Sequence, residues 1–298
     1  MLTGLLTQKF VLKRLRIDFL MAFTFKIFKK HIVIVIAMFV LMTALASSLA
    51  APLVAPFDPY KTNLSKRLLP PMSEDHILGT DQMGRDILSR LIYGARVSLI
   101  VSLSAVVFAG FIGTFVGLIS GFYGGWTDRI IMRLVDVQLS FPFVILALTI
   151  AAILGPSLRN IIITLAISNW VLYARLVRGE VLAIKEKQFV QAAYTLGLSN
   201  WRIIWRTILP NVLAPVIVLS SLEVGRMIIT EAAISFLGFG VQPPTAAWGN
   251  ILNEGRDYMT TAWWLTVFPG LAIVIVTLSV NSIGDWLRDM LDPKLRYR

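Results

Sequence analysis

Long apolar blocks alternate with short polar stretches along the whole chain. Residues 32–51, 97–127, 137–158, 160–174, 207–222, 232–253 and 258–284 contain no Asp, Glu, Lys or Arg, and about 20 apolar residues are enough to cross a bilayer as a helix. Solid blocks of this kind suit helices, which satisfy their backbone amides within the segment; a membrane barrel would alternate polar and apolar positions instead. The pattern predicts an all-α membrane protein with six transmembrane helices, at about 32–52, 97–121, 133–155, 158–176, 212–236 and 263–285. The block interrupted at Glu223 and Arg226 counts here as one span.

Composition strengthens this picture. Hydrophobic residues make up 56% and charged residues 15% of the 298 positions, well to the apolar side of a soluble domain. The net charge of +11 is explained by the Lys and Arg excess that retains loops in the cytoplasm, so no nucleic-acid partner is called for. Cysteine is absent and His31 and His76 are the only histidines, which excludes a disulfide framework and leaves little for a soft-metal site.

Residues 1–30 carry seven basic residues against one acid, Asp18, interleaved with Leu, Phe and Ile. This reads as a cytoplasmic amphipathic segment on an anionic lipid surface. Ser48-Leu49-Ala50 looks like a cleavage site, but the long basic region and long apolar run both exceed signal-peptide proportions, so 31–52 is expected to be an uncleaved first transmembrane helix. With both termini cytoplasmic, the inner segments hold 19 of the 28 basic residues, in line with the positive-inside rule. Residues 53–96 are then an extracytoplasmic loop and 289–298 a cytoplasmic tail. Within the loop, Thr80 or Asp81 is expected to cap a helix running through Arg96. Gly113, Gly117 and Gly121 recur every four residues, a small-residue face on which another helix can pack closely.

The stretch QAAYTLGLSNWRIIWRTILPN, residues 191–211, breaks the apolar pattern. Phe189, Ala192, Ala193 and Leu196 fall on one helical face, Gly197 breaks it, and Leu198, Trp201, Ile204, Trp205 and Ile208 form a second apolar stripe. Arg202 and Arg206 lie one turn apart on the other side, and Pro210 is expected to end the helix or kink it into the fifth span. Two readings follow from the residues: an amphipathic helix lying in the headgroups, or a short helix that docks in a groove of another protein.

The same stretch resembles the cytoplasmic "EAA" loop of binding-protein-dependent ABC importer permeases. Ala192, Ala193, Gly197, Leu209 and Pro210 fall on that pattern, while Gln191 stands where the pattern has Glu and Thr207 where it has Ile. The words LGTDQMGRDILSRLIYGARVSL (78–99), GFYGGWTDRIIMRLVD (121–136), ISFLGFGVQPPTAAWGNILNEGR (234–256) and GDWLRDMLDPKL (284–295) are similar to the dipeptide, oligopeptide and nickel importer branch. The resemblance implies a type I ABC importer permease fold, with residues 97–288 as the permease core and 177–211 as its coupling loop. It implies a bacterial inner membrane location. It also implies a homologous second permease, two cytoplasmic ATPase subunits or domains that hold ATP and Mg, and an extracytoplasmic substrate-binding protein as partners. The ATPase-coupling residues would be Gln191, Ala192, Ala193, Gly197, Trp201, Arg202, Trp205, Arg206, Leu209 and Pro210.

The chain holds no Walker-type phosphate loop and no His-Glu-x-x-His pattern, so it is read as a non-enzymatic subunit without a cofactor of its own. Ionisable residues inside spans default to functional roles. Glu223 and Arg226, three apart, can pair; with Glu231 they are candidates for the translocation path, where a zwitterionic peptide finds partners for both its ends. A nickel or metal-chelate cargo fits the same branch, since a chelated metal needs no protein ligands. A self-sufficient secondary transporter would show internal repeats, and none is clear here.

Overall fold

A computed structural model describes residues 32–73 and 75–291; the expected amphipathic segment 1–30 and the last seven residues of the tail lie outside them. Among the described residues the regular structure is helical: α1 (Ile32–Leu49), α2 (Ala51–Val54), α3 (Ile87–Tyr123), α4 (Gly125–Leu139), α5 (Phe143–Leu154), α6 (Leu158–Lys185), α7 (Gln188–Thr195), α8 (Asn200–Arg202), α9 (Leu209–Phe236), α10 (Trp248–Gly255) and α11 (Trp264–Leu291). Five continuous helices, α1, α3, α6, the run Asn200–Phe236 and α11, are long and apolar enough to cross a membrane.

The expected third span at 133–155 is a bent pair. Helices α4 and α5 meet at 92°. Pro142 lacks an amide proton and disfavours helical geometry at Phe141 before it, while the Ser140 hydroxyl turns back onto the Val137 carbonyl and closes α4. The pair supplies the sixth span if it crosses as one unit.

The second span also differs from expectation. It starts at Ile87, about ten residues early, and its cap is Asp86, whose carboxylate accepts from the Ser89 amide at 2.8 Å. Thr80 and Asp81 therefore do not cap this helix; the chain folds back between them and Asp86, with Asp81 accepting the amides of Met83 and Arg85. The sequence pattern located a capped helix correctly but missed that a tight loop precedes it.

Close packing of α3 on α6 organises the bundle. A Cβ on Gly117 would lie 2.6 Å from the Ala174 carbonyl oxygen, and one on Gly121 would lie 2.8 Å from Val181 Cβ; at Gly113 it would run into Trp170 O. The glycine face is thus where the two backbones touch. Helix α9 packs against α3, α6 and α11, and α1 lies on the outside of the α3–α11 side through Leu41, Ala44 and Leu45.

Candidate functional site: the loop between α6 and α9

Helix α7 ends in a glycine-dependent turn. Gly197 adopts φ +72°, the Leu198 amide donates to the Ala193 carbonyl and the Gly197 amide to the Tyr194 carbonyl, which is the Schellman pattern. No atom would obstruct a Cβ at Gly197, so the requirement there is conformational and not steric. Gln191, which replaces the Glu of the EAA pattern, uses its side-chain amide to donate to the Lys185 carbonyl at 2.8 Å and so ties α7 to the end of α6. A carboxylate could not donate this bond.

Beyond Ser199 the chain is helical without interruption to Phe236, so the helix does not end at Pro210, one of the two outcomes expected there. The turn Ile203–Ile208 is π-helical, and the Leu209 amide reaches the Ile204 carbonyl. Pro210 cannot donate to the carbonyl four residues earlier; widening the preceding turn accommodates this, and the Asn211 side chain covers the Thr207 carbonyl.

The expected apolar stripe divides in two. Ala193, Ile203, Ile204 and Ile208 are buried in a cluster with Leu118, Phe122, Val177 and Val181 of α3 and α6, and Leu198, Trp205 and Leu209 pack partly against it. The four buried side chains anchor the loop to its own bundle and are not free to seat in a partner. Phe189, Gln191, Ala192, Leu196, Trp201, Arg202 and Arg206 stay exposed, as does Pro210, with Leu196 at 80% and Trp201 at 64%. The outward ridge Phe189, Ala192, Leu196 and Trp201 is therefore the unpartnered part. Amphipathic spacing alone could not separate the two sets, because both lie within one helical period.

Ion pairs brace the bundle behind this loop. Arg178 of α6 binds both carboxylate oxygens of Asp128 in α4, at 2.6 and 2.7 Å, and Ser120 of α3 donates to the same carboxylate. Arg175 pairs with Asp136 at the surface. Lys185 donates to the Phe122 carbonyl, and Tyr194 of α7 stacks on the Phe122 ring at 6.3 Å. α7 thus touches α3 through Tyr194 and α6 through Gln191.

Deeper in the membrane, Glu223 accepts from the Asn169 side-chain amide at 2.9 Å and lies 3.4 Å from Arg226. The Arg226 guanidinium rests over the Phe143 ring, 4.3 Å from its centre, at the first residue of α5 after the bend. Glu223 is nearly covered while the Arg226 side chain is 42% exposed. Glu231 does not join this group. It is fully buried, and both its oxygens accept hydroxyl bonds, from Ser98 and Ser235.

A third charged group joins the loop before α3 to α10, and its long-range member is not legible locally. Asp81 pairs with Arg85 and Arg90, each at 2.6 Å, and Glu254 of α10 binds the same two arginines at 2.5 and 2.7 Å. Arg90 is completely buried. Burial pushes the Glu254 carboxyl upward, but its bonds to Arg90 and the charges of Arg90 and Arg85 outweigh this and hold it below the usual carboxylate range. Trp264 donates to the Thr80 carbonyl and Trp248 to the Leu91 carbonyl on either side of the network. Asp81 and Arg85 are four apart, which is legible locally, but Glu254 is 164 residues from Arg90.

Residues 113–297 match the family model described as "Binding-protein-dependent transport system inner membrane component", and residues 21–71 match "N-terminal TM domain of oligopeptide transport permease C". Relatives include the dipeptide transport system permease protein of Alkalihalophilus pseudofirmus, 44% identical over 91% of this chain and 89% of its own length. The glutathione transport system permease protein of Pectobacterium atrosepticum is 40% identical over 90% of this chain and 89% of its own. Among solved structures, the methionine ABC transporter in inward-facing conformations aligns with a TM-score of 0.55 at 20% identity, covering 68% of this chain and 96% of that one. That likeness supports the fold expectation, the type I importer permease.

Proposed function

The chain belongs to the family of binding-protein-dependent transport system inner membrane components, and from this premise we propose that it is one of two permeases of an ATP-driven peptide importer. It is a transport subunit of the ABC type and not an enzyme; ATP and Mg belong to two cytoplasmic ATPase subunits. Its relatives carry the names of dipeptide and glutathione transport permeases, and short peptides are the cargo we assign. A substrate-binding protein delivers the peptide from outside, and both termini of this chain lie in the cytoplasm of a bacterium, in line with the distribution of Lys and Arg.

The observation that carries this reading is the exposed ridge Phe189, Ala192, Leu196 and Trp201 on a loop otherwise locked into the bundle. A short, firmly mounted helix with one apolar face is the form that docks into a groove of a partner. ATP-driven closure of the ATPases would move α7, and the Tyr194–Phe122 and Gln191–Lys185 contacts would pass that motion to α3 and α6. The permease pair would then rock between outward-open and inward-open states. The Glu223–Arg226 pair is the part of the path that meets the peptide: a carboxylate for its amine and a half-exposed guanidinium for its carboxylate. For Glu231, enclosed by Ser98 and Ser235, we propose a role in joining α3 to α9 beneath that path.

The test is ATPase activity of the assembled transporter in liposomes with binding protein and peptide. Trp201→Asp and Gly197→Pro are expected to leave the complex in the membrane with basal ATP hydrolysis but without stimulation by loaded binding protein. Full stimulation in both variants would overturn the coupling role.

A further inference from the structure

A groove of about 350 Å³ runs along the outside of the bundle between Val107, Phe111 and Phe115 of α3 and Leu209, Leu213 and Val216 of α9. Its α9 side spans about 16 Å from Leu209 to Ser220, at 1.5 Å per helical residue. Two features set it apart from an ordinary apolar helix surface. The indole Nε1 of Trp205, at the end nearest the coupling loop, is buried without a hydrogen-bond partner among the described residues, and so is Thr114 Oγ1 further along. An unmade bond at a buried polar atom costs about 1–3 kcal/mol, so an acceptor from outside the described residues is favoured at Trp205. Arg202 and Arg206 flank Trp205 three and one positions away and are exposed and basic. The π-helical turn Ile203–Ile208 carries Trp205 and Arg206 at this point.

We infer that this groove holds an anionic glycerophospholipid of the cytoplasmic leaflet. One acyl chain lies along α3 and α9, the Trp205 N–H donates to an ester carbonyl, and Arg202 and Arg206 hold the phosphate. The arrangement follows the order of a lipid from tail to headgroup: apolar groove, a donor at the depth of the esters, then cations. Anionic lipid is concentrated in the cytoplasmic leaflet and attracts basic residues at its surface, and aromatic donors favour the interface depth. Bound there, the lipid touches α3, α9 and the base of the coupling loop together, and stabilises their relative positions. The inference rests on the proposed orientation with the loop in the cytoplasm.

The experiment uses the assembled transporter purified from nanodiscs of phosphatidylcholine alone or mixed with phosphatidylglycerol, with retained lipid read by native mass spectrometry. The intact transporter is expected to keep phosphatidylglycerol in preference to phosphatidylcholine. Leu213→Trp, which fills the groove without adding charge, and Trp205→Phe, which keeps the ring and removes the donor, are each expected to lower that retention about tenfold. Equal retention of the two lipids, or unchanged retention in Leu213→Trp, overturns the site. Loss of the second permease from the Leu213→Trp complex also overturns it, because a protein would then be the occupant. Orientation is checked separately: Arg202→Cys, the single thiol in a cysteine-free chain, should react only with reagent on the cytoplasmic side. Labelling from the outside alone would remove the topology rather than the groove.

Discussion

Replacing Arg90 by Met tests whether the Asp81–Arg85–Arg90–Glu254 network is held by its charges. The side chain is completely buried and shared between Asp81 and Glu254, at 2.6 and 2.7 Å. Removing it leaves two buried carboxylates with one cation, Arg85. Breaking a buried pair in this way costs about 3–5 kcal/mol, because the surviving charge is left uncompensated. Trp248 and Trp264, bonded to carbonyls next to the network, report its opening through their emission during unfolding of the purified chain in mixed micelles with rising denaturing detergent. Arg90→Met should shift the transition by that amount. The double variant Arg90→Met/Glu254→Gln should be more stable than Arg90→Met, since the second change removes the carboxylate that has lost its partner; the sign of this coupling distinguishes an electrostatic network from packing alone. A single-variant loss below about 0.5 kcal/mol, the range of ordinary surface changes, would rule out a charge-held network, as would full additivity of the two losses.

Acid should act through the same residue. The folded Glu254 carboxyl titrates below its unfolded value, so its contribution is fully present above about pH 4.3, the ordinary value for Glu, and is lost as pH falls through the lower folded value. The tryptophan signal should therefore hold until below the normal Glu range, and Glu254→Gln should remove this acid phase. Gly117→Ala would press a Cβ against the Ala174 carbonyl at 2.6 Å and should lower the yield of folded protein, with a cost of about 1–3 kcal/mol; Gly179→Ala, with nothing within 4 Å, should fold normally and serves as its control. In proteoliposomes, Arg226→Gln should reduce uptake of a peptide with a free carboxylate about tenfold while sparing its amidated analogue, as expected for loss of one charge-assisted contact. Equal uptake of both analogues by wild type and variant would remove Arg226 from the path.

Much of this architecture was legible in the chain because lipid imposes strong rules. Uninterrupted apolar blocks located the spans, and the four-residue glycine spacing located the α3–α6 contact. The bend at Ser140–Pro142 was written in Pro142, yet the apolar run continues through it and hides the break. The start of α3 was misplaced because Thr80, Asp81 and Asp86 are all good caps, and only the fold-back of the preceding loop selects Asp86. In the loop between α6 and α9, spacing marked every apolar residue but not its direction; Ile204 and Ile208 turn inward because α3 and α6 are there to receive them. Glu231 and Glu223 looked alike in sequence. Their difference lies in Ser98 and Asn169, partners on other helices that no local pattern connects to them.

The proposed coupling depends most on Leu196 meeting an ATPase instead of lipid. Its side chain is 80% exposed at the tip of the loop, and a Leu196→Cys variant places one thiol there in a chain without any other. In the assembled transporter, a short thiol-to-amine crosslinker at this position is expected to join the chain to the ATPase subunit, and a lipid-soluble thiol reagent is expected to leave it unmodified. Rapid modification from the lipid phase with no crosslink to the ATPase would contradict the coupling assignment.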